Sequence, residues 1–199
     1  MNILKSNEDR HDRRCLKTKK AIKKSFIKLM VEKRITDITI KEIADDADIN
    51  RKTFYAHYID VYSVLNEIEN DLIEKLYNIL SNHDILKSRY NPYPLFKEFN
   101  AEINRDFDFY KHLVQSTSYS RLLIKMKSIF KDKIINVVKN EIDVDKELLS
   151  YAVDFMAAGT ISVYEMWFNS KRDISLEEIS KTVSLLVSDG INAVIDRNV

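Results

Sequence analysis

The chain has 199 residues, 45% of them hydrophobic and 32% charged, a balance found in folded rather than disordered proteins. Two Gly, two Pro and one Cys, Cys15, argue against a glycine-rich nucleotide cradle and exclude an intramolecular disulfide or the spacing of a zinc site. The net charge of +1 hides a division: residues 1–59 carry 15 Lys+Arg against 9 Asp+Glu, and residues 60–199 carry 17 against 22. A polyanionic partner is therefore expected at one end only.

In chain order, residues 1–12 read as a polar, disordered arm. A helix follows from Arg13 to Arg34, with Ile22, Phe26, Leu29 and Met30 at helical spacing and Lys19, Lys20, Lys23, Lys24 and Lys28 around them. Thr39 and Glu42 form a capping box, with Ile38 and Ile43 as its hydrophobic staple, so a short helix runs from Ile40 to about Ala47. Asp48-Ile49-Asn50 breaks it. Asn50 caps a second short helix, Arg51 to about Tyr58, stapled by Ile49 and Phe54. Asp60 caps a third that reaches about Leu80, with Ile59 and Val64 as its staple. Residues 81–94 hold both prolines and read as a linker. Beyond it, helices are predicted at about 94–104, 107–116, 119–140, 145–169 and 175–196. The fold class is all-α: an amino-terminal helix-turn-helix domain over 13–80 and a carboxy-terminal helical domain over 95–199.

Two short helices joined by a three-residue turn, behind a basic helix, make a helix-turn-helix. In that motif the second helix enters the major groove amino end first. Arg51 and Lys52 then lie nearest the base edges, where an Arg can form a bidentate contact with guanine. Thr53, Tyr55, His57 and Tyr58 offer hydroxyl and imidazole groups to phosphate oxygens. Bland readings stand beside these. Tyr55 and Tyr58 could pack against the first helix, and His57 could make a structural hydrogen bond. Arg13 and Arg14 could lie in solution or reach the minor groove.

The stretch "TIKEIADDADINRKTFYAHY" joins a T-x-x-x-I-A-x-x-A half to an R-x-T-F-Y-x-H-Y half. With it, residues 13–65 resemble the DNA-binding domain of TetR-type transcriptional regulators. "INRKTFYAHYID" looks most like the branch that includes regulators of dihydroxyacetone-kinase operons, which residues 95–197 resemble weakly through "DFYKHL" and "AAGTISVYEMWFNSKRDISLEEI". The resemblance implies that Thr39, Thr53, Tyr55 and Tyr58 bind phosphates and that Arg51, Lys52 and His57 lie in the groove. It departs at Val61, where the family usually has a Lys that clamps a phosphate. It also implies a double-stranded, palindromic operator, a homodimer and a cavity for a small apolar effector.

Within the second domain, Phe99, Phe109, Tyr110, Phe155 and Trp167 are the candidate effector-pocket residues, with ordinary core as their alternative. Both glycines fall inside the last two helices. Gly in a helix interior costs about 1 kcal/mol relative to Ala, so a packing reason is expected. The expected dimer interface is Val153, Met156, Ala157, Gly159, Val163, Leu186, Val187, Gly190 and Ile191. No catalytic motif, metal-ligand spacing or cofactor loop is found, and no enzyme is expected. No apolar run approaches a membrane span, and the first residues lack a secretory core, so a cytoplasmic chain is expected. Two functions remain open: an effector-responsive repressor of a neighbouring operon, or a co-regulator whose second domain binds a partner protein.

Overall fold

A computed structural model describes residues 2–116, 119–141 and 144–196, with side chains from Arg13 onward except Tyr119. Every regular element among the described residues is helical. The order is α1 (Asn2–Glu32), a 3-10 turn (Ile35–Asp37), α2 (Ile40–Asp46), α3 (Arg51–Tyr55), α4 (Val61–Ser81), α5 (Ile85–Ser88), α6 (Tyr93–Arg105), α7 (Phe107–Gln115), α8 (Tyr119–Glu141), α9 (Lys146–Asn169) and α10 (Leu176–Ile195). No helix among the described residues is long and apolar enough to cross a membrane.

Three boundaries differ from the sequence expectation. The backbone of α1 is helical from Asn2, so the segment expected as a disordered arm continues the helix. No Gly or Pro interrupts the chain there. α3 stops at Tyr55 because the amides of His57 and Tyr58 both turn back to the Phe54 carbonyl, at 2.9 and 3.0 Å. The segment 81–94 is not a bare linker. Asp84 caps α5 through the amides of Leu86 and Lys87, and α10 holds the following turn through Ser188 Oγ and Asn192 Nδ2 donating to the Arg89 carbonyl at 3.0 and 3.1 Å.

Two compact units divide the chain: Met1–Asp71 with Lys111–Tyr119, and Leu72–Tyr110 with Ser120–Val199. The division falls within α4 rather than at the prolines. In the first unit, α1 contributes Ile22, Phe26, Ile27 and Met30 to a buried stripe, and Ile43, Ala44 and Phe54 are buried on α2 and α3. Burying a side chain such as Phe54 contributes about 1.5–3 kcal/mol. Polar bonds fix the register of α1 on α2: Ser25 Oγ donates to the Ile43 carbonyl at 3.2 Å, Lys28 pairs with Asp46 at 2.5 Å, and Lys33 pairs with Glu42.

In the second unit α10 packs on both α9 and α6. One apolar cluster joins Val138, Val144, Leu149, Val153, Ile191 and Ile195; another joins Leu76, Ile79, Leu80 and Leu95. Between these helices sits a small polar knot. The Tyr164 hydroxyl lies 2.7 Å from Ser180 Oγ, which donates to Asn100 Oδ1 at 2.9 Å, and Phe96 stacks on Tyr164. The buried hydroxyl and amide thus satisfy one another, which removes the penalty an unpaired group would carry.

Candidate nucleic-acid interface

Local bonds build the helix-turn-helix. The capping box of α2 forms as its sequence requires: Thr39 N–H donates to Glu42 Oε2 at 2.9 Å and Glu42 N–H to Thr39 Oγ1 at 3.3 Å. The Lys33 ammonium, and after it the Thr39 amide, hold the Glu42 carboxyl down at about 2. After α2 the chain reverses through Asp48, whose φ of 54° is left-handed, and Ile49 N–H returns to the Ala44 carbonyl at 2.9 Å. Asp tolerates this conformation better than most residues because its short polar side chain bonds locally. Asn50 then caps α3 by accepting from Thr53 N–H at 2.8 Å. The turn leaves an open depression of about 540 Å³ lined by Ala44, Asp45, Asp48, Ile49, Asn50 and Thr53. Its two carboxylates make it unsuited to phosphate.

The residues expected at DNA separate into two groups. Arg51 and Lys52 are exposed on the first turn of α3, Tyr55 is 59% exposed, and Arg13 and Arg14 are exposed on α1. These five are open to a ligand. The other four are engaged inside the protein. Thr39 Oγ1 donates to Glu42 Oε2 at 2.8 Å, and Thr53 Oγ1 donates to Asn50 Oδ1 at 3.1 Å, so both hydroxyl protons are committed to helix caps. His57 Nδ1 meets Cys15 Sγ at 3.6 Å, the structural bond that was its alternative reading. Tyr58 is only 4% exposed and packs beside Phe54, with Lys19 Nζ 5.5 Å above its ring. Burial, and after it the charge of Glu67, raise the Tyr58 phenol above its ordinary range. The core of the motif takes the Tyr58 ring, in contrast to the phosphate contact expected of it.

Two further features of the turn into α4 depart from expectation. Ile59 does not staple to Val64. Val64 is fully buried, while Ile59 is 85% exposed beside Asp60. Asp60 caps α4 as expected, accepting from Ser63 N–H at 2.7 Å, and Val61 is half-buried behind it.

Sequence reasoning missed the contact between α1 and α4. Glu67 receives Lys19 on both carboxylate oxygens, at 3.2 and 3.1 Å, and Lys23 at 2.8 Å. Lys23 also reaches Asp71 at 2.5 Å. Burial of Glu67 works against its ionisation, but the lysines outweigh it and lower its pKa. The signal was legible: Lys19 and Lys23 stand four apart, as do Glu67 and Asp71, so each pair shares a helix face.

The second-unit candidates have different surroundings. Phe155 is 81% exposed. Trp167 packs edge-on to Phe107 and Phe168, and its indole N–H donates to the Ile174 carbonyl at 2.8 Å. Tyr110 donates to Glu102 at 3.0 Å, Phe109 sits edge-on to it, and Phe99 packs against the Leu76–Leu95 cluster. Each of these four is spent on its own neighbours. Of the expected dimer residues, Val153, Ala157 and Ile191 are buried inside the protomer, and Met156 packs on the same core. Gly190 faces that core too: a Cβ there would meet Met156 Cε at 3.1 Å. Val163 and Val187 are half-buried. Gly159 is open to solvent, and Leu186 is 67% exposed. The exposed apolar face keeps Gly159 and Leu186 from that set and adds others. Leu148, Tyr151, Phe155, Gly159 and Met166 recur at three-, four- or seven-residue intervals along α9, with Leu185 and Leu186 exposed on α10. Among the described residues, no group of three or more His, Cys, Asp or Glu side chains could hold a metal.

Comparison with known proteins bears on both ends of the chain. Residues 90–189 match the family described as the transcriptional regulator C-terminal region, TetR_C_8. A curated relative, the uncharacterized HTH-type transcriptional regulator YxbF of Bacillus subtilis (strain 168), is 23% identical over 176 residues. That match takes in 84% of this chain and 44% of the relative, so the chain spans less than half the relative's length. Among solved structures, the dihydroxyacetone kinase operon activator DhaS superposes with a TM-score of 0.58 at 20% identity, covering 89% of this chain and 98% of that one. A TetR transcriptional regulator from Streptococcus agalactiae 2603V does so with 0.56 at 22% identity, covering 89% and 97%.

Proposed function

The chain belongs to the TetR family of transcriptional regulators, and from that premise we propose that it acts in the cytoplasm as a homodimeric, effector-responsive repressor that binds a palindromic operator upstream of a neighbouring operon. The observation that carries the DNA-binding part is the geometry of α3. Asn50 caps it, Phe54 anchors it in the core, and Arg51, Lys52 and Tyr55 stand exposed on its outer side. A short helix held from within and cationic without is suited to a major groove. The amino ends of the motif would position on phosphates, Tyr55 would add a phosphate contact, and Arg51 and Lys52 would read base edges.

The unpartnered apolar stripe of α9 and α10 supports the dimer. A second copy laying the same stripe against it forms a closed two-fold interface, and two-fold symmetry matches an inverted repeat with half-sites about 34–36 Å apart. Family membership supports the effector part of the reading.

Selection of bound duplexes from a random library tests the proposal. The expected product is an inverted repeat bound by a dimer, with reporter expression rising when the gene is deleted. Recovery of no enriched sequence overturns the reading, and a fall in reporter output makes the protein an activator.

A further inference from the structure

The α1–α4 ion pairs adjoin the segment that follows the recognition helix. Lys19 stands over the ring of Tyr58, three residues beyond the end of α3, and Glu67 holds it there with both carboxylate oxygens. Lys23, one turn further along α1, has a second carboxylate in Asp71. Lys19 has Glu67. The basic stretch of α1 would otherwise leave this ammonium free to turn toward DNA bound at α3, and charges act over about 8 Å at physiological salt. A lysine free to reach a phosphate strengthens binding to every duplex alike and carries no sequence information.

We propose that Glu67 is a specificity-determining residue: by sequestering Lys19 on Tyr58 it withholds that charge from DNA phosphates, so that selectivity rests on Arg51 and Lys52. The inference rests on the duplex binding proposed above. Glu67 binds Lys19 through both carboxylate oxygens. It acts through Lys19, and so is a positioning residue.

The test compares a duplex selected by the wild type with a scrambled duplex of equal length, each titrated over a range of salt. Glu67→Gln keeps the shape of the side chain and removes its charge. It is expected to bind the scrambled duplex about eightfold more tightly at 0.1 M salt, with the log–log salt slope steeper by about 0.9, the increment for one added phosphate contact. The ratio of selected to scrambled affinity falls accordingly. Lys19→Gln combined with Glu67→Gln should return the slope to that of the wild type. A purely structural role for Glu67 would instead weaken both duplexes and leave the slope unchanged, whatever residue stands at position 19.

An unchanged slope in a folded Glu67→Gln protein, or a steeper slope that persists without Lys19, overturns the inference. If Glu67→Gln does not fold, Lys19→Gln alone decides. Its slope must equal that of the wild type, because a sequestered lysine releases no counterion; a shallower slope overturns the inference. A wild type that binds neither duplex overturns the DNA reading itself, and this inference with it.

Discussion

The helix-turn-helix and the α9–α10 face both expose aromatic or aliphatic side chains, yet they do so on different physical terms. Between Thr39 and Asp60, the helix starts are set by bonds within a few residues: Thr39 to Glu42, Asn50 to Thr53, Asp60 to Ser63. The outward direction of Arg51 and Tyr55 follows from those caps and from Phe54. On α9 and α10 no local bond selects the face. Both sides of α9 are apolar, Val153 and Ala157 on one and Tyr151 and Phe155 on the other, and packing against α10 decides which is buried. Local chemistry specifies the first region, and competition between two apolar stripes specifies the second.

The largest effect should come from charging the free stripe. Phe155→Asp together with Leu186→Asp is expected to give a folded monomer by light scattering and circular dichroism, with binding to an inverted repeat lost. A variant that stays dimeric would remove this stripe from the interface.

Arg51→Ala comes next. It should cost about 1–3 kcal/mol of operator affinity and relax preference at one base pair per half-site, read by titrating single-base operator variants. Equal losses on all duplexes would move Arg51 from base to phosphate.

Asp48→Val tests how far local geometry controls the turn. A β-branched residue at a φ of 54° should lower unfolding free energy by about 1–2 kcal/mol in a denaturant titration. An unchanged midpoint would mean that the turn relaxes to another conformation.

Tyr55→Phe should weaken selected and scrambled duplexes by the same factor, about 0.5–1.5 kcal/mol for one hydrogen bond. A changed base preference would place its hydroxyl on a base instead.

The two glycines give the smallest and sharpest contrast. Gly159→Ala adds a methyl where nothing lies within 4 Å and should raise protomer stability by about 0.5–1 kcal/mol. Gly190→Ala brings Cβ to 3.1 Å from Met156 Cε, so its gain should be smaller. Thermal midpoints measured at a concentration where the protein is monomeric separate the two. A larger gain at Gly190 would show that Met156 moves aside without cost.

Most helix boundaries were legible in the sequence, because caps and breakers act over three or four residues. Thr39–Glu42, Asn50, Asp60 and Ser175–Glu178 all cap where their pattern indicates. The residues of the site were legible only in part. Arg51, Lys52 and Tyr55 stand outside, as a recognition helix requires. Tyr58 carries the same hydroxyl as Tyr55 three residues on, yet points inward, because the chain has already left the helix when it reaches Tyr58 and α1 lies over it. Composition does not distinguish two tyrosines whose difference lies in what covers them.

By itself, the sequence determined the all-helical class, the helix-turn-helix and its cationic leading turn, since capping, propensity and periodicity are properties of neighbouring residues. Only the tertiary structure decided that Cys15 meets His57, that Glu67 holds Lys19 over Tyr58, and that Gly190 faces the core while Gly159 faces solvent. The physical reason is one of range. A helix presents every face to its surroundings with equal backbone geometry, and the face that loses water is chosen by the shape and charge of a partner tens of residues away.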